Sequence, residues 1–472
     1  MSSTLDKKHI YIFVIISSMI SFFVTLLFYY NIREQYRIIT FFPIIFSITF
    51  AVLFPSVTKS KYKFTIYTFF VLQYIRFTII PIFISLTGRE GLVTPIYISD
   101  DNGFLTCLLC IADLIILSSF IYLFIKIKGN KNVNLESKEL MLKGNVSTYS
   151  VFLLIALFVF AYAYFNNIHL IKFFMLDVDT GSRIGDEVDT RLLVLRQILL
   201  VGLIYFFVIA AYYSKKYYVK SKRNLFFNIA LLVALINVCV IIGERRSAQI
   251  YSSICCAYVL IRCFPEKRRK ILLYVFSVAG LVLLLMSIYK FSNAFLYSSY
   301  MDSLADSNAD MASYSNYLQA YFMGPSNIAL CIETFEKYRL SFFNVIFDFI
   351  RSVFPLSLLV KDLGIPSSII YNNIIYNGYQ NTGYILPALG YGYAVFGIFF
   401  PFLFSIINIA ISLFFENLLL KTDSIELAYI YLFCLLRFCI NFTVNTPALL
   451  SACTIFIFSA VTVYFIGKSV RI

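Results

Sequence analysis

The sequence predicts an all-α polytopic integral membrane protein. Of its 472 residues, 60% are hydrophobic and only 14% are charged, and mean hydropathy is +0.82. Apolar runs of about 20 residues, the length that crosses a bilayer, recur along the chain. A soluble domain carries charge on about a quarter of its residues, so a soluble enzyme or a nucleic-acid-binding module is excluded, and no nucleic acid is expected as a partner. There is no tryptophan beside 36 tyrosines and 51 phenylalanines, which leaves tyrosine to supply the aromatic belt at the membrane surfaces.

Twelve runs fit a crossing, at roughly 10–30, 38–55, 64–86, 104–125, 147–168, 191–213, 225–243, 247–264, 271–290, 385–416, 425–445 and 449–467. The first lacks a cleavage site of small residues and is read as a retained span. Every second connection is basic, with Lys59, Lys61 and Lys63, then Lys126 to Lys143, Lys215 to Arg223 and Lys267 to Lys270. The positive-inside rule therefore places those loops and both termini in the cytoplasm. Three parts follow: residues 1–290 with nine spans, a long external loop at 291–384 containing short helices, and residues 385–472 with three spans. The run 342–360 is nearly span length but holds Asp348, Arg351 and Pro355. Counting it would move the basic tail outside, so it is read as an interfacial or re-entrant helix. All cysteines but Cys331 fall in apolar runs, which argues against a disulfide framework. Cys107 and Cys110 have no polar ligand set around them and read as packed thiols.

The two faces differ in the kind of cation they carry. Cytoplasmic connections are rich in lysine, with arginine at Arg223, Arg268, Arg269 and Arg471. The external side favours arginine: Arg33, Arg37, Arg89, Arg183, Arg191, Arg245, Arg246, Arg339 and Arg351 stand against Lys172, Lys290, Lys337 and Lys361. A guanidinium grips phosphate oxygens in a bidentate fork, whereas an ammonium is a hydrated point charge. Single external arginines also snorkel to lipid headgroups. Depth separates these roles. Arg196 and Arg437 lie about one and a half and two turns below the external ends of their spans, where charge is expensive and is turned into a cavity. Arg76 and Asp113 match in depth on antiparallel neighbours, which predicts a structural salt bridge. Arg191, Arg196, Arg245, Arg246 and Arg437 then outline a cationic pocket at headgroup level, with Arg351 as a further phosphate ligand from the long loop.

The external loops supply the remaining chemistry. The stretch HLIKFFMLDVDTGSRIGDEVDTR, residues 169–191, is acidic and glycine-punctuated, and its Asp177-Val-Asp179 triplet reads more readily as a solvated turn than as a metal motif. The long loop holds Asp302, Asp306 and Asp310 at helical spacing, then Glu333, Glu336 and Arg339. It continues into IIYNNIIYNGYQNTGY, where Tyr371, Asn372, Asn373, Tyr376 and Tyr379 interleave rings and amides as sugar faces and hydroxyls require, or as an ordinary loop would.

Several short motifs carry a family likeness: Gly243-Glu244-Arg245-Arg246 at the external end of the seventh span, Gly324-Pro325-Ser326, Asn381-Thr382-Gly383, and Gly390-Tyr391-Gly392-Tyr393-Ala394-Val395-Phe396-Gly397. With the twelve-span plan, the arginine-bearing loop after span five and one long loop after span nine, the chain resembles the O-antigen or oligosaccharide repeat-unit polymerases of the Wzy type. Family members often carry an acid directly after the glycine matched by Gly390, where this chain has Tyr391. The resemblance implies a GT-C-like fold in the bacterial cytoplasmic membrane. It implies glycosyl transfer on the external face with undecaprenyl-diphosphate-linked oligosaccharides as donor and acceptor, and a chain-length regulator as a further partner. In that scheme Arg246 and its neighbours stabilise the leaving diphosphate, Glu333 with Asp310 second takes the acceptor proton, and neither cofactor nor metal is needed. Rival readings are an O-antigen ligase, a polyprenyl-phosphate-sugar-dependent glycosyltransferase, for which Asp100-Asp101 speaks, and a lipid-linked oligosaccharide flippase, which would show two similar halves.

Overall fold

A backbone inside hydrocarbon must satisfy its own N–H and C=O groups, and this chain does so with helices almost throughout. The computed structural model describes residues 2–57, 59–88, 96–128, 139–166, 168, 170–173, 190–241, 247–292, 311–360, 363–378 and 383–470. Among them, eight helical stretches are long and apolar enough to cross a membrane: Lys8–Leu27, Glu34–Pro55, Lys63–Thr87, Asp100–Lys128, Val146–Phe165, Val194–Ser221, Leu403–Lys421 and Thr446–Ser469. Two shorter apolar helices cover Asn224–Val238 and Gln249–Cys263. The protein is an all-α polytopic membrane protein. Its helices also include Arg268–Ser292 and Ile425–Ile440, which fall on the two other predicted runs.

The chain folds as two compact units. The first comprises residues 1–133, 308–416 and 437–452. Its helices are α1 (Ser2–Leu27), α2 (Phe42–Val57), α3 (Lys63–Tyr74), α4 (Ile80–Thr87) and α5 (Asp100–Lys128), and then α11 to α16, described below. Between α3 and α4 the turn widens to a π-helix at Ile75–Ile79. Pro81, just beyond it, has no N–H to offer the preceding turn. Arg76 is in this widened turn, 2% exposed, and its Nη1 lies 3.1 Å from Asp113 Oδ2 on α5. The salt bridge expected from matched depth is therefore present. Nη2 also donates to Cys110 Sγ at 3.4 Å, one turn before Asp113 on the same helix. Met323, Ile328, Pro387, Leu389, Ser405 and Thr443 close around the pair.

The long-loop region contributes α11 (Met311–Phe322), α12 (Pro325–Lys337), α13 (Phe342–Ser352) and α14 (Ser367–Ile375). α12 is buried without a break from Pro325 to Phe335. It packs on α5 and on α15 (Ala388–Phe396), where a Cβ on Gly390 would stand 2.6 Å from Cys331 Sγ. Cys331, assigned by sequence to a polar loop, is thus a core thiol. The run 385–416 is not one continuous helix. α15 stops at Gly397, in the left-handed region at φ 64, and α16 (Leu403–Lys421) starts after Pro401. The unbroken apolar character of IFFPFLF hid that interruption. Glu416, 3% exposed near the far end of α16, accepts from the backbone N–H groups of Phe64 at 2.9 Å and Thr65 at 3.0 Å. Those are orphan donors of the first turn of α3, and an anion is the natural cap there.

The second unit comprises residues 134–307, 417–436 and 453–472. It holds α6 (Val146–Phe165), α7 (Thr190–Ser221), α8 (Asn224–Val238), α9 (Ser247–Cys263) and α10 (Arg268–Ser292). The first part of α17 (Ile425–Ile440) and most of α18 (Thr446–Ser469) complete it. α7 packs on α6 and α8, and α9 on α8 and α10. Glu426, 1% exposed, gathers the N–H groups of Lys143 and Gly144 and the Tyr149 hydroxyl on Oε1, each at 3.0 Å. Its Oε2 accepts from Ser424 Oγ at 2.7 Å. Gly144 and Gly467 make room for the Tyr149 ring, which a Cβ on either would strike.

Replacing Asp113 by Leu strands Arg76 in a dry interior and is expected to cost about 3–5 kcal/mol of stability. Replacing the pair together, Arg76→Met with Asp113→Leu, is expected to recover most of that loss. Thermal denaturation in detergent compares the two variants, and equal losses would contradict the pairing.

Candidate functional site

At one end of the second unit, chain direction brings together the ends of four helices. α6 and α8 end there, while α7 and α9 begin there. Two short strands, β1 (Lys172–Phe173) and β2 (Val240–Ile241), pair antiparallel, with Lys172 opposite Ile241 and Phe173 opposite Val240. This ladder joins the start of the acidic 173–190 connection to the residues that lead into Gly243-Glu244-Arg245-Arg246. α9 then starts at Ser247, and Gln249 Nε2, fully buried, donates back to Val240 O at 2.7 Å. Ser252 Oγ donates to Asn237 O at 3.1 Å, and Asn237 Nδ2 to Leu203 O at 3.2 Å. The start of α9 is thereby tied to β2, to the end of α8 and to the body of α7.

The N-termini of α7 and α9 share this end, so two sets of orphan backbone N–H groups and two positive helix-dipole ends do as well. Arg191 is the second residue of α7, though its side chain falls outside the described residues. Arg196, half-buried, is in the second turn of the same helix. Deeper along α7, Gln197 Nε2 donates to Ser459 Oγ at 3.1 Å and Tyr205 OH to Ala460 O at 2.7 Å, which fixes the helix against α18. Arg245 and Arg246 lie in the 242–246 connection and, like Asp177, Asp179, Arg183, Asp310 and Tyr379, fall outside the described residues.

The other predicted ligands belong to the first unit. Arg437 is half-buried near the end of α17, where its carbonyl accepts from Asn441 Nδ2 at 2.9 Å. Arg351 works as a clamp on its own loop: Nη2 donates to Gly364 O at 2.6 Å and Nε to Val360 O at 3.4 Å, while Nη1 stands 4.0 Å from Asp348 Oδ1. Two of its nitrogens thus hold backbone carbonyls of its own loop.

Glu333 is equally engaged. Its Oε2 accepts from Ser99 N at 3.2 Å, Ser99 Oγ at 3.0 Å and Asn102 Nδ2 at 2.8 Å, and Lys337 Nζ stands 3.3 Å from Oε1. Burial pushes this carboxyl up, but the bonds from Asn102, Ser99 and Lys337 outweigh it and hold the group below its ordinary value of 4.5. Glu333 anchors α12 to the start of α5. Beside it, the exposed Glu336 accepts from Asn102 Nδ2 at 2.7 Å through Oε2.

The proposed glycan contacts divide in the same way. Tyr371 is fully buried and stacks on Phe335 at 5.8 Å. Asn372, 3% exposed, clamps its loop through Ser368 O, Tyr384 O and Tyr384 N. Both side chains are buried in the core. Asn373 and Tyr376 remain half-buried at the edge, with the Tyr376 ring 5.7 Å from that of Tyr384. Tyr391 donates its hydroxyl to Asp348 Oδ2 at 2.8 Å. Asp348 also accepts from Ser367 N at 3.1 Å. A carboxylate thus stands beside the glycine motif, contributed by α13, and no spacing in the sequence connects Asp348 with Tyr391.

Comparison of the chain with protein families, with curated proteins and with solved structures finds no match to any of them.

Glu333→Gln is expected to lower thermal stability at neutral pH. Because the folded carboxyl sits below its ordinary value, its stabilisation is complete above that value and is lost as pH falls through the lower, folded one. The melting difference between wild type and variant is therefore expected to shrink as pH drops from neutral to about 3, and a pH-independent difference would deny the anchor.

Proposed function

We propose that the protein joins undecaprenyl-diphosphate-linked oligosaccharide repeat units into an O-antigen or capsular polysaccharide, by glycosyl transfer at the β1–β2 end of the second unit. The observation that carries this reading is the strand pair itself, which ties the arginine-bearing 173–190 connection to the lead-in of Gly243-Glu244-Arg245-Arg246, between two helix N-termini. Helix N-termini and guanidiniums at one membrane boundary suit a lipid diphosphate.

In the proposed reaction the acceptor hydroxyl attacks the donor's anomeric carbon, the bond from that carbon to the diphosphate oxygen breaks, and undecaprenyl diphosphate leaves with the electron pair. Arg246, with Arg191, Arg196 and Arg245, meets the charge that develops on the leaving oxygen. The acceptor proton passes to a carboxylate. Twelve crossings, a GT-C-like arrangement, both termini in the cytoplasm and a place in the bacterial cytoplasmic membrane complete the proposal. No metal takes part in it.

Purified protein in proteoliposomes, given a synthetic undecaprenyl-diphosphate repeat unit, is expected to yield a ladder of longer glycans that EDTA does not suppress. Arg246→Lys is expected to slow elongation about 10²–10³-fold, as loss of a preorganised charge contact does, with membrane insertion unchanged. Unaltered elongation in that variant would overturn the assignment. Strict loss with EDTA would move the chemistry to Asp177 and Asp179.

A further inference from the structure

α13 carries its polarity the wrong way round for a helix in water. Its inward side holds Val345, Asp348 and Ser352, all buried, while Phe342 is 61% and Phe343 69% exposed, with Ile346 beside them. Its carboxylate is turned into the protein and its phenylalanines are turned out. At 11 residues it spans only about 16 Å, too short for a hydrocarbon core of about 30 Å. The Arg351 clamp folds the following turn back, and Leu356, Leu358, Leu359, Leu363 and Ile365 are also exposed.

The packing of α13 fixes its depth. Phe349 stacks on Phe404 at 5.8 Å, and Tyr391, whose hydroxyl holds Asp348, stacks on Phe404 from 4.8 Å. Phe404 is the second residue of α16, a candidate span, so α13 lies level with the first turn of a crossing. At that same end the connection into α16 exposes Ile398, Phe399 and Phe400, the last two by 80% and 66%. The apolar face of α13 and the exposed 398–400 turn thus both adjoin the first turn of a candidate span.

We propose that the Phe342–Ile346 face and the Ile398–Phe400 turn are embedded together in the leaflet at the Leu403 end of α16, so that α13 lies flat in the membrane boundary with acyl chains as its partner. This is independent of the glycosyl-transfer reading. The burial of Asp348 and the exposure of the phenylalanines then have one cause, since the bilayer takes the apolar side and the protein must take the acid.

The chain has no tryptophan, so one introduced indole reports without background. Phe343→Trp and, separately, Phe399→Trp are placed in vesicles of phosphatidylcholine and phosphatidylglycerol brominated at shallow or deep acyl positions. Both are exposed sites, where the substitution leaves the core intact. In both variants the emission is expected to be blue-shifted, insensitive to aqueous iodide and quenched most by shallow bromines, about 5–10 Å into the headgroup and acyl boundary. Iodide quenching with red-shifted emission would place the face in water, and protection from both iodide and bromine would place it against protein, as between two copies of the chain. Either result overturns the proposal, as does maximal quenching by deep bromines.

Discussion

A charge carried into a membrane protein's interior must be answered there, and this requirement organises much of the chain. Three of the buried carboxylates among the described residues are answered in three ways. Asp113 has the Arg76 guanidinium, Glu416 has the first-turn N–H groups of α3, and Glu426 has two backbone N–H groups and two hydroxyls. Each joins segments far apart in sequence, and each becomes costly once one side is removed. The same requirement sorts the arginines. Arg76 is held by a carboxylate, and Arg351 holds carbonyls of its own loop.

What the sequence disclosed follows from how local each signal is. Hydrophobic length located the helices because crossing length is a property of one segment. Depth matching found Arg76 and Asp113 because antiparallel neighbours share a height. The break between α15 and α16 escaped because Gly397 and Pro401 sit inside an aromatic run whose hydropathy does not falter. The roles of Glu333, Tyr371 and Asn372 escaped for a different reason. Composition put them in a polar external loop, but the packing of α12 against α5 and α15 turned that loop into a core. Glu333 and Asn102 are 231 residues apart in sequence, and no periodicity reports such a contact. A hint was available for Glu426, since Ser424 opens a helix with an acid in its first turn.

The proposed chemistry rests on different physics from the scaffold. In the scaffold, carboxylates meet specific donors and are neutralised. At the β1–β2 end of the second unit, two helix starts bring orphan backbone N–H groups to one place, an arrangement that favours an anion. α13 adds a third regime, in which the membrane itself replaces protein as the partner of an apolar face. The proposed chemistry and the membrane boundary are thus served by separate segments of the chain.

The central claim is that the arginines at the β1–β2 end hold a diphosphate. The most direct measurement is equilibrium binding of undecaprenyl diphosphate and of undecaprenyl monophosphate to the purified protein in nanodiscs, with wild type compared against Arg245→Lys combined with Arg246→Lys. The account predicts that wild type prefers the diphosphate by about tenfold or more, the worth of one additional charge-assisted contact, and that the double variant loses the preference. Equal affinity for the two lipids in wild type, or a preference that survives both substitutions, would contradict it.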